Sequence, residues 1–100
     1  VGVVMTNWTE MRTAALTLLA DGKWHETEEL VLALQGFIPA KCAVDRYTSW
    51  FKIDRPLEVK VATGRRVLVM DRLNGWKHRG LIEADGKPGV NRSYRLNNKE

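Results

Sequence analysis

Chain-breaking signals cut these 100 residues into segments too short for any large regular architecture. Asp21-Gly22, Gln35-Gly36, Arg55-Pro56 and Gly80 each stop a helix, and Asp85-Gly86 and Pro88-Gly89 mark turns. Between these stops the apolar residues recur mostly at helical spacing. Asn7 and Glu10 form a capping-box pattern ahead of Met11, Ala14, Ala15, Leu18 and Leu19, which predicts a helix over 8–20. Gly22 supplies the left-handed C′ position that closes it. Trp24 reads as apolar mortar in a short bridge. Thr27 is placed to cap a second helix, with Glu28 and Glu29 in its first turn and Leu30, Val31 and Leu34 on its buried face.

Pro39 suits the first turn of a third helix, 40–51. Ala40, Ala43, Val44, Tyr47, Trp50 and Phe51 share one face of it. Lys41, Asp45, Thr48, Ser49 and Lys52 share the other, with Arg46 at the margin. Residues 52–63 read in three ways: as a short strand through the alternation of Leu57, Val59 and Val61, as an irregular loop, or as an early start to the next helix. Thr63-Gly64 is expected to open a helix over 64–79 with Val69, Met70, Leu73 and Trp76 as its core stripe. Arg65, Arg72 and Arg79, seven apart, fall on one flank of that stripe. Leu81-Ile82-Glu83 and Arg92-Ser93-Tyr94-Arg95-Leu96 read as a β-hairpin, with Tyr94 and Leu96 turned inward. The expected fold is therefore mainly α with a small C-terminal hairpin, an α+β domain over 8–96 between tails 1–7 and 97–100.

Charge divides unevenly along the chain. Residues 1–50 carry four Lys/Arg against six Asp/Glu, and residues 51–100 carry twelve against six. A basic half points to a nucleic-acid partner; a solvated surface is the plainer alternative. The sole cysteine, Cys42, allows no internal disulfide or cysteine-based zinc site. His25 and His78 lie far apart, and no phosphate-binding glycine loop is present. Glu28 and Glu29 are adjacent and so point to different sides of a helix. No enzyme, metal site or cofactor is expected. Apolar runs fall short of the roughly 18–20 residues of a membrane span. Val1-Gly2-Val3-Val4-Met5 lacks the basic start of a secretory leader, Met5 being an alternative initiator, and a cytoplasmic location is expected.

One run carries a family likeness. Ala20-Asp21-Gly22-Lys23-Trp24 precedes Thr27-Glu28-Glu29-Leu30. Arg72-Leu73-Asn74-Gly75-Trp76-Lys77-His78-Arg79-Gly80-Leu81-Ile82-Glu83 then leads toward Tyr94-Arg95-Leu96. Over residues 8–96 the chain resembles a winged helix-turn-helix domain, in which a helix ending in Gly-Leu-Ile runs into the two strands of a wing. In style it is similar to small helix-turn-helix proteins of actinobacterial phages. The resemblance implies a double-stranded DNA-binding protein, a small transcriptional regulator, with a second copy of the chain as a further partner. Winged helices also act as protein-interaction modules, so the alternative is a phage-type factor that docks on a host protein, using the acidic Glu26, Glu28 and Glu29. The plainest family pattern has three helices before the wing, and this chain has four. Either helix 40–51 or helix 64–79 would then read DNA.

A helix fits the major groove, where Arg pairs with guanine and Ser or Thr reaches base edges. The candidate contacts on the third helix are Lys41, Arg46, Thr48, Ser49 and Lys52. On the fourth they are Arg65, Arg66 and Arg72, with free N–H groups expected at a helix start at Gly64. On the hairpin tip they are Lys87, Asn91 and Arg92. If the reading is right, Arg65, Arg66, Lys87 and Arg92 should share one face, with no carboxylate among the arginines. The tryptophans at 24, 50 and 76 are expected in the core.

Overall fold

The computed structural model describes residues 7–87 and 92–97. Four α-helices and a three-stranded antiparallel sheet form among the described residues: α1 (Trp8–Leu18), β1 (His25–Glu26), α2 (Thr27–Leu34), α3 (Ala40–Trp50), α4 (Leu57–His78), β2 (Ile82–Asp85) and β3 (Ser93–Leu96). Short 3₁₀ turns, Leu19–Asp21 and Gln35–Phe37, extend α1 and α2. The mainly helical α+β expectation stands at this level.

The helix boundaries follow local chemistry. The Asn7 side chain accepts from the Glu10 amide at 3.0 Å, capping α1. Gly22 and Gly80 end their segments with φ of 75° and 79°, a left-handed geometry that any side chain would strain. Thr27 departs from expectation. Glu26 occupies the N-cap position of α2, and Thr27 is fully buried. Its hydroxyl donates to the Arg92 carbonyl at 2.6 Å, and its amide donates to the same oxygen at 3.0 Å. Thr27 therefore ties the start of α2 to the base of the hairpin.

The returning strand β3 lies in the middle of the sheet, in the order β1-β3-β2. His25 faces Tyr94 across one ladder, and Ala84 faces Tyr94 across the other. A two-residue strand far back in the chain thus clamps the hairpin. The core beneath is built from Met11, Ala15 and Leu19 of the first segment, Leu30 and Leu34 of α2, Val69, Leu73 and Trp76 of α4, and Ile82 and Tyr94 of the sheet. These are the stripes that helical and strand spacing pick out in the sequence.

The stretch 52–63 takes the third of its three readings. Helix α4 begins at Leu57, seven residues before Gly64, and no strand forms there. Pro56 precedes the first turn, its carbonyl accepts from the Val59 and Lys60 amides at 3.0 and 3.1 Å, and Glu58 sits at the positive end of the dipole. Val59 and Val61 disfavour helix only by a few tenths of a kcal/mol each, roughly, and packing against α3 overrides that. Gly64 marks the closest approach of the two helices. A Cβ built there would lie 1.9 Å from the Ala43 carbonyl oxygen. Its role is to let two backbones touch in mid-helix, so the free N–H groups expected at Gly64 are instead hydrogen-bonded within α4.

Trp76 is buried as expected, but Trp24 and Trp50 are 43% and 56% exposed. Trp24 lies under the Arg95 guanidinium, 4.4 Å from its ring centroid. Trp50 and Phe51, assigned by spacing to the buried face of the third helix, lie beyond the end of the core and are open to solvent.

Beside β1, the His25 ring is held between two carboxylates. Its Nδ1 lies 2.5 Å from Glu29 and its Nε2 3.0 Å from Asp21. Hydrogen bonds to Asp21 and then Glu29 raise the His25 pKa above 6.5, and the His25 contact lowers Asp21 below 3.8. The native state therefore holds the imidazolium proton more tightly than the unfolded chain. That stabilisation is complete below about pH 6.5 and fades as the pH rises through the native His25 pKa. The Asp21 share is lost in the other direction, as the pH falls through its lowered value. The urea midpoint is expected to drop between pH 6 and pH 8.5, and His25→Gln should flatten that slope. An equal slope in the variant would show that His25 is not its source.

Candidate nucleic-acid interface

Helices α1, α3 and α4 meet around the Trp8 ring. Trp8 is the first residue of α1, and Arg12 follows one turn later on the same side. From α4 the Arg72 guanidinium stacks on the ring, its Cζ 3.7 Å from the centroid. Arg79 lies two turns further along the same flank, on the C-cap of α4. From α3, Arg46 reaches the cluster, ion-paired to Asp71 and with its Cζ 5.1 Å from the Trp50 ring. The residues enclose a shallow cleft of about 300 Å³ floored by Leu68, Gly75 and Trp76. A smaller hollow alongside carries Arg12, Arg72 and Arg79 around the other edge of Trp8.

Four guanidinium groups thus share one region with Asp71, and Asp45 lines the adjoining hollow on the α3 side. Partial burial pushes the Arg72 pKa down, and the Arg79 and Arg46 cations push the same way against the pull of Asp71. Such a cluster gains free energy from any anion that enters it. A stacked, half-buried guanidinium is also pre-oriented, so it loses little rotamer freedom on meeting a phosphate.

The sequence-selected cations are not brought together as expected. Arg65 donates through Nε to the Ile38 carbonyl at 2.8 Å, closing the turn before α3. Arg66 lies on another side of α4, paired with Glu28, whose carboxyl it holds below the usual range. Arg92 is buried at 8% exposure, with its Cζ 5.6 Å from the Tyr94 ring centroid. Lys87 alone of these four is exposed. The expected single face formed by Arg65, Arg66, Lys87 and Arg92 does not exist, because three of the four complete the fold. The expected absence of acid also fails, since Asp71 stands among the arginines. Asn91 lies outside the described residues.

The α3 candidates fare better. Lys41, Thr48, Ser49 and Lys52 are exposed, Lys41 lying 3.5 Å from Asp45, a similarly exposed partner. Ser49 and Arg46 border a further hollow with Trp8 and Cys42, so the polar face of α3 adjoins the arginine cluster. Sequence reasoning kept Arg72 and Arg46 and placed Arg79 on the Arg72 flank without choosing it. It read Trp8 only as a hydrophobic cover at a helix start, and it did not single out Arg12. The seven-residue spacing could have recovered Arg79; nothing local to α1 announces that Trp8 will meet α4.

The acidic surface offered for a protein partner is largely committed inside the molecule, with Glu28 on Arg66 and Glu29 on His25. Among the described residues no group of three His, Cys, Asp or Glu side chains is arranged to hold a metal ion, and no helix is long and apolar enough to cross a membrane. No protein-family model, curated protein or solved structure matches this chain.

Proposed function

We propose that this chain binds double-stranded DNA as a small transcriptional regulator of winged helix-turn-helix type. In this reading α3 lies in the major groove and presents Lys41, Thr48 and Ser49, with Lys52 just past its C-terminal end. Arg12, Arg72 and Arg79, with Arg46, grip the flanking phosphates, and Lys87 on the hairpin meets the backbone further along. The observation that carries the reading is the arginine cluster around Trp8 beside the open polar face of α3, a different set of cations from the face expected on Arg65, Arg66, Lys87 and Arg92, in which the carboxylate Asp71 is already paired with Arg46. The order of elements supports the winged-helix assignment, with a hairpin following the last helix and a short early strand completing its sheet. Of the two candidate recognition helices, α3 is favoured because its polar residues are free of the core, whereas Arg65 and Arg66 of α4 already have partners.

The test is fluorescence anisotropy with mixed-sequence duplexes over a salt series. Each phosphate neutralised contributes about −0.9 to the slope of log K against log salt, so four to six contacts give a slope of about −4 to −5. No binding at about 20 mM salt, or binding indifferent to salt, would refute the proposal. Selection from random duplexes then separates a regulator, which enriches a motif, from an architectural binder, which does not.

A further inference from the structure

We infer that the hollow between the end of α3, the middle of α4 and the base of the hairpin is a binding site for a small aromatic carboxylate. The inference does not rest on the DNA-binding reading. Helix α4 supplies one side of the hollow with Val67, Met70, Asp71 and Asn74, which stand three and four residues apart on a single face. Trp50 walls it from α3, and Arg92 and Tyr94 close it from the hairpin. Its volume is about 250 Å³. An apolar cavity of roughly 150 Å³ already admits benzene, so this one suits a ligand of one or two rings.

Arg92 sets the charge of the ligand. The residue is more than nine-tenths buried, yet its Nε has no hydrogen-bond partner among the described residues. A buried charged donor without an acceptor costs free energy, and an entering carboxylate recovers it through a charge-assisted hydrogen bond. Packing against the Tyr94 ring holds the guanidinium in place, so little rotamer freedom remains to be lost. Burial pushes the Tyr94 hydroxyl above its ordinary pKa while the Arg92 cation pulls the other way. The phenol is therefore protonated at neutral pH and adds no negative charge. Among the described residues Asp71 is the carboxylate on the wall, and Arg46 already neutralises it.

The walls set the body of the ligand. Trp50 and Tyr94 offer aromatic surface, Met70 a polarizable thioether and Val67 a branched aliphatic group. Trp50 is 56% exposed, so a ring laid against it removes apolar surface from water. Asn74, exposed one turn beyond Met70, can donate to or accept from a polar substituent on that ring. Inorganic phosphate would meet the guanidinium but leave these walls bare. A flat aromatic acid uses both halves of the site.

Isothermal titration calorimetry of the full chain with 2-naphthoate tests the inference. Saturable one-to-one binding is expected with a Kd between about 10 μM and 1 mM. The uncharged 2-naphthamide should bind at least about 10-fold more weakly. Trp50→Ala should weaken naphthoate about 5- to 10-fold. Arg92→Met, which keeps apolar bulk against Tyr94, should erase the preference for acid over amide. Should that variant fail to fold, Trp50→Ala and the acid–amide comparison still decide the matter, because Trp50 is largely exposed. In proton–nitrogen NMR spectra the Trp50 indole N–H should shift on titration while that of Trp8 stays in place. No saturable binding up to about 5 mM would overturn the inference. Equal binding of acid and amide would overturn it too, as would shifts centred on Trp8, which would move the anion to the arginine cluster.

Discussion

Replacing Gly64 with alanine is expected to lower the melting temperature by about 10–20 °C. One added methyl would sit 1.9 Å from the Ala43 carbonyl oxygen, and that oxygen belongs to helical backbone. A flexible side chain could swing aside, whereas here two helices must separate. Alanine favours helix over glycine by about 1 kcal/mol, so overpacking must first cancel that gain. The net loss is about 2–3 kcal/mol, a large part of the stability of a domain this size, and each kcal/mol moves its midpoint by about 4–8 °C. Gly75 provides the internal comparison. It lies in the same helix with nothing within 4 Å of its would-be Cβ. Gly75→Ala should raise stability by about 0.5–1 kcal/mol through helix propensity alone. Thermal melts of the two variants decide the matter. Equal behaviour would mean that α3 does not cross α4 at this point.

The second large effect concerns the cluster around Trp8. The variant Arg72→Gln with Arg79→Gln should reduce the salt slope of DNA binding by about 2 and the affinity at moderate salt by 10- to 100-fold. The lost affinity should be similar on every duplex, since phosphate contacts carry position and not sequence. Arg66→Gln is the contrasting change. Its side chain is engaged with Glu28, so the slope should hold while stability falls slightly. A slope unmoved by the double variant, or moved equally by Arg66→Gln, would place the phosphate contacts elsewhere.

Arg65, Arg66 and Arg92 show why basic residues mislead when read along a chain. Each is an ordinary surface cation by composition. In the folded molecule each supplies a specific local need: the open carbonyl before α3, the Glu28 carboxylate on α2, and the face of Tyr94 under the hairpin. Charge counting gives the sign of a region but cannot tell a free cation from a committed one, because commitment depends on which element arrives opposite. Trp8 illustrates the reverse case. A tryptophan at a helix start looks like a cover for the core, yet packing turns it into the platform on which Arg72 rests.

The residues themselves determined what depends on near neighbours. Asn7 caps α1, Gly22 and Gly80 end their segments in left-handed geometry, and helical spacing selects Met11, Leu30, Leu73 and Trp76 as core. These are interactions within a turn or two, where spacing and side-chain type suffice. Packing alone decided that Leu57–Val61 continues a helix, that Gly64 is a crossing point, that Thr27 bolts α2 to the hairpin, and that Arg12, Arg72 and Arg79 gather beside one indole ring. Each of those outcomes joins groups far apart in the chain, and no local preference encodes which distant surface will come to lie against a given side chain.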